Sequence, residues 1–65
     1  MSARYKITKD SDGFYNVWMR DSYTSEYVFM WAYGDCERAI AFCERLIDPF
    51  QGETIAVDLR GVAHA

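Results

Sequence analysis

The side chains able to do chemistry in these 65 residues are two cysteines, one histidine and ten acids set against seven bases. Cys36 and Cys43 stand seven residues apart in a segment with helical periodicity, which separates them by about 10.5 Å along the axis. A disulfide needs Cα atoms within about 7 Å, so these two do not bridge each other. They read as reduced thiols serving as small core hydrophobes, the usage of a cytoplasmic protein. A reactive thiolate at Cys36, near a helix N-terminus, is the minor alternative. A metal set from both cysteines and His64 lacks the close Cys-x2-4-Cys spacing, so no metal is expected. Asp10 and Asp12 have the chemistry of a turn, and the other ligand positions of a calcium loop are missing. Asp21 lies at a different hairpin end, so no pair of carboxylates forms a hydrolase site. The glycines at 13, 34, 52 and 61 form no phosphate-binding loop. The sequence therefore predicts no enzyme and no cofactor.

The elements that must position whatever function remains follow from hydrophobic periodicity. Residues 4–9 alternate as a strand, and Asp10-Ser11-Asp12-Gly13 predicts a type I turn closed by a left-handed glycine. That turn sets Ile7 opposite Val17, Lys6 opposite Trp18 and Arg4 opposite Arg20, with strand two over 14–20. Strand three is expected at 27–33, after a four-residue tip from Ser22 to Ser25, in a register that pairs Val17 with Met30 and Trp18 with Phe29. Asp35 is a natural N-cap for a helix over 36–47, whose stripe is Cys36, Ala39, Ile40, Cys43, Leu46 and Ile47. Asp48-Pro49 ends that helix, residues 54–59 alternate as a last short strand, and 60–65 are expected to fray.

The fold class is thus α+β: a three-stranded antiparallel meander, one helix packed on one face, and a short C-terminal fourth strand, in the order β-β-β-α-β. Residues 1–65 form a single domain. The position of the last strand stays open between strand one, strand three and a pairing across a dimer. The order of elements is similar to that of double-stranded-RNA binders and integrase arm-binding domains, a likeness of topology with no motif residues behind it.

These registers sort the meander into two faces. One carries Tyr5, Ile7, Lys9, Tyr15, Val17, Met19, Val28, Met30 and Ala32. The other carries Arg4, Lys6, Thr8, Phe14, Asn16, Trp18, Arg20, Tyr27, Phe29, Trp31 and Tyr33. The helix stripe is small and aliphatic, and laying it on the second face would bury Arg4, Lys6 and Arg20, so the first face is assigned to the core.

The second face then presents six large aromatics and three bases, which marks an interaction surface. Arg4, Lys6, Trp18, Arg20, Tyr27, Phe29 and Trp31 are the candidate partner-binding residues. A small acidic chain with such a face is expected to bind protein, either itself as a homodimer or another chain as an inhibitor. Single-stranded nucleic acid stacked on the aromatics is the alternative, opposed by a net charge of −3. A structural alternative inverts the faces, or folds the terminal strand and the Phe50 loop over the aromatics, so that the patch is core. On the helix, Arg38, Phe42 and Arg45 form a secondary patch for an acidic partner, with Phe42 otherwise tucked under the Phe50 loop. No stretch is apolar enough to span a membrane and residues 1–9 lack the apolar core of a secretion signal, so a cytoplasmic protein is expected.

Overall fold

The structure, a computed structural model, describes residues 3–59. The expectation of a frayed tail at 60–65, and His64 with it, lies outside the described residues. The chain forms β1 (Tyr5–Lys9), β2 (Tyr15–Arg20), β3 (Tyr27–Tyr33), α1 (Cys36–Leu46), a turn of 3-10 helix (Pro49–Gln51) and β4 (Ile55–Asp58). One four-stranded sheet in the order β3-β2-β1-β4 carries the helix on one side.

The first hairpin follows its turn chemistry. Gly13 takes φ +88°, its N–H donates to the Asp10 carbonyl at 3.1 Å, and the Asp10 N–H donates to Phe14 at 3.0 Å. Asp10 Oδ1 accepts from the N–H groups of Asp12 and Phe14, so the side chain holds the loop from within. The register is the expected one, with Tyr5 opposite Met19, Lys6 opposite Trp18 and Ile7 opposite Val17. The second turn closes with the Asp21 N–H on the Glu26 carbonyl at 2.8 Å, leaving Ser22–Ser25 as its tip.

β3 departs from expectation at one residue. Trp18 does pair with Phe29, but Val17 pairs with Trp31 instead of Met30, because a bulge lies between those two pairs. Met30 is the extra residue, and beyond it every side chain of β3 changes face. Trp31 and Tyr33 therefore share the helix side with Val17 and Tyr15, and Ala32 goes to the opposite side with Asn16.

β4 settles beside β1, in parallel, with Tyr5 opposite Ile55 and Thr8 opposite Asp58. The sheet is thus mixed. A parallel partner requires a crossover, and α1 supplies it. Asp35 caps the helix by accepting from the Glu37 N–H at 3.0 Å, and the Ile47 N–H closes the other end on Cys43.

The helix lies on the face assigned to it. Its Ala39 and Cys43 join Tyr5, Ile7 and Val17 as the buried core, with Tyr15, Met19, Met30, Tyr33, Ile40, Phe42, Ile47 and Ile55 packed around them. Leu46, expected in the stripe, is exposed, because it ends the helix where Phe50 stands clear of the fold at 98% exposure. The Phe50 loop therefore covers neither the aromatics nor Phe42.

Candidate functional site: an aromatic sheet face and a bare edge strand

On the side away from the helix, β1, β2 and β3 bring Lys6, Thr8, Trp18, Tyr27 and Phe29 together. Trp18 meets Phe29 edge-on at 5.7 Å, the geometry preferred by the ring quadrupoles, and its indole N–H donates to Thr8 Oγ1 at 2.8 Å. Tyr27 is fixed at the far end, its hydroxyl donating to the Ala3 carbonyl at 2.6 Å. The Lys6 ammonium lies 5.4 Å from the Tyr27 ring centre, within cation–π range. Lys6, Thr8, Trp18 and Tyr27 line a shallow hollow of about 230 Å³.

The bases of this face are less free than their spacing in sequence suggests. Arg4 donates from Nη1 to the Arg20 carbonyl at 2.8 Å and holds Nη2 at 3.8 Å from the Met19 sulfur. Arg20 keeps its Nε buried with no hydrogen-bond partner. Of the seven expected binding residues, the structure groups Lys6, Trp18, Tyr27 and Phe29 on this face, draws Arg4 and Arg20 into its end, and moves Trp31 to the other side.

That displacement changes the kind of surface present. β3 is an edge strand of seven residues, Tyr-Val-Phe-Met-Trp-Ala-Tyr, with no charge, proline or glycine. Phe29 is 50% exposed on the aromatic side, while Val28 at 50% and Trp31 at 61% are exposed on the helix side. The apolar surface therefore wraps around an edge, whereas six aromatics on one flat face were expected.

The secondary patch also assembles, with one member that sequence reading placed elsewhere. Tyr33, Arg38, Ala41, Phe42 and Arg45 line a hollow of about 260 Å³. The bulge delivers Tyr33 to this side, where its ring packs at 5.7 Å against Phe42. Among the described residues neither Arg38 nor Arg45 has an ion-pair or hydrogen-bond partner. No glycine or proline in β3 marks the bulge, so nothing in the local sequence signals Tyr33 as a neighbour of the arginines.

The thiols sit apart from both surfaces. Cys36 and Cys43 are free, and burial, then the nearby Glu44 charge, raises the Cys43 pKa above its ordinary value. Among the described residues no three His, Cys, Asp or Glu side chains cluster as metal ligands, and no helix is long and apolar enough to cross a membrane. Comparison with known proteins finds no matching family model, no matching curated protein and no matching solved structure.

Proposed function

We propose that this chain is a small cytoplasmic, non-enzymatic protein that works by binding another protein chain, itself included, through the aromatic side of its sheet and the adjoining β3 edge. The observation that carries the reading is the exposure of Val28, Phe29 and Trp31 on one uncharged edge strand. Such a strand offers unpaired backbone groups together with apolar side chains, the two components of strand-to-strand recognition. Trp18 and Tyr27, held by their own hydrogen bonds, add rigid aromatic area beside it. Inhibition of a partner by occupying one of its surfaces is compatible with this mode of binding.

Single-stranded nucleic acid is served less well by the same face. Of the three bases expected to meet phosphates, Arg4 is engaged with the Arg20 carbonyl and Lys6 lies over Tyr27, while the Arg20 Nε is buried. A phosphate-tracking groove needs free cations along its length.

The test compares the unmodified chain with Phe29→Glu, in sedimentation velocity and in capture of partners by the immobilised protein, with circular dichroism as the folding control. The substitution is expected to abolish whichever association the unmodified chain shows. Association unchanged in both assays would overturn the reading, and quenching of tryptophan fluorescence by oligonucleotides at low salt would replace it with the nucleic-acid one.

A further inference from the structure

The two edges of the sheet are guarded differently. β4 is only four residues long and ends in Asp58, both devices that discourage another strand from adding. β3 has seven residues with no charge or proline, and the one guard of this kind it carries is the bulge at Met30. The fold therefore directs strand addition to β3.

Charge around β3 is arranged with a direction. At its start lies Glu26, exposed, with a side chain that has no partner among the described residues. Its carbonyl accepts from Asp21, which extends the β2–β3 ladder by one residue. Alternation from Val28 then sets Glu26 on the helix side of the sheet. At the other end of β3, on that same side, stand Tyr33 and the hollow flanked by Arg38 and Arg45.

We infer that the occupant of the β3 edge is a second copy of this chain, paired antiparallel about a two-fold axis so that Glu26 of each copy meets Arg38 and Arg45 of the other. Antiparallel pairing sends the start of one β3 to the end of its mate, and two-fold symmetry repeats the arrangement. A parallel pairing would instead turn the two helix sides to opposite faces and leave each Glu26 beside the start of its mate, away from Arg38 and Arg45. Val28 and Trp31 of both copies lie on the helix side near the middle of the joint and cover one another there. The product is one continuous eight-stranded sheet with both helices on the same side.

This inference rests on the reading that the chain binds protein through its sheet, and it adds the partner and the pairing. Sedimentation velocity of the full chain over a wide concentration range tests it. The unmodified chain is expected to dimerise, and Val28→Lys to weaken the dimer by placing a strand-edge guard on β3. The doubly substituted Arg38→Glu/Arg45→Glu and the single Glu26→Arg are each expected to associate roughly tenfold more weakly or worse alone, because like charges then oppose across the joint. Mixed together they restore the dimer, since each reversed charge meets its complement. Glu26, Arg38 and Arg45 are exposed and outside the buried core, so reversing their charges is expected to preserve the fold even if Val28→Lys does not. A monomer at every concentration, or a dimer indifferent to the charge reversals, would overturn the inference. A monomer that nevertheless captures a foreign partner, and loses it on Phe29→Glu, would overturn the dimer alone and leave the broader reading standing.

Discussion

Asp10 shows how one side chain can set the register of a hairpin. Its carboxylate accepts from Phe14 and Asp12 N–H groups and, at 3.3 Å, from Asn16 Nδ2. These bonds, the one from Phe14 foremost, lower its pKa below the ordinary 3.8. Folding therefore favours the ionised form, so the contribution is complete above pH 3.8 and is lost as acid carries the pH down through the lowered value. Asp10→Asn is expected to flatten the fall in stability from about pH 5 downward, as read by urea midpoints across that range. The turn was legible because Asp-x-Asp-Gly has few other conformations open to it, and the whole β1–β2 register followed. The fate of Arg4 was not legible: alternation assigns a residue to a face, but a side chain that long can turn onto the carbonyl of its cross-strand neighbour, Arg20.

At the scale of elements, the helix and the bulge differ in how much local chemistry declares them. Asp35 after Gly34, Glu37 in the first turn and a stripe centred on Ala39 and Cys43 all agree, and α1 forms within a residue of the predicted span. Asp35→Ala removes the acceptor for the Glu37 N–H and is expected to cost about 1 kcal/mol, measured by urea unfolding. The bulge has no such signature. Met30 has the same strand preference as its neighbours, and the fit that favours it is tertiary: Met30 fills space beside the core while Tyr33 reaches Phe42. One extra residue consequently moved Trp31 and Tyr33 across the sheet, and with them part of the candidate site. The place of β4 was equally undeclared, since Ile55, Val57 and Leu59 would alternate against any neighbour.

The whole molecule rests on a small core. Only Tyr5, Ile7, Val17, Ala39 and Cys43 are buried among the described residues, and a chain of this length buries about 60% of what its unfolded form exposes. Ile7, with no exposure, touches both layers of that core. Ile7→Ala is expected to cost about 2–5 kcal/mol, a large share of the stability available to so small a domain. Loss of the cooperative urea transition, followed by tryptophan fluorescence, would register it. If the chain dimerises through β3, that transition shifts to higher urea as protein concentration rises.

The parallel pairing of β1 with β4 has a mechanical consequence. The chain enters the fold beside Ile55, at Tyr5, and leaves it beside Thr8, at Asp58, so the entry and exit lie at opposite ends of two adjacent central and edge strands. Tension applied through the two ends of the chain runs along those strands in opposite directions and loads their hydrogen bonds together, in shear. A hairpin held by its two free ends would open one bond at a time, like a zipper. The β1–β4 pair is therefore held against such a pull by several hydrogen bonds at once.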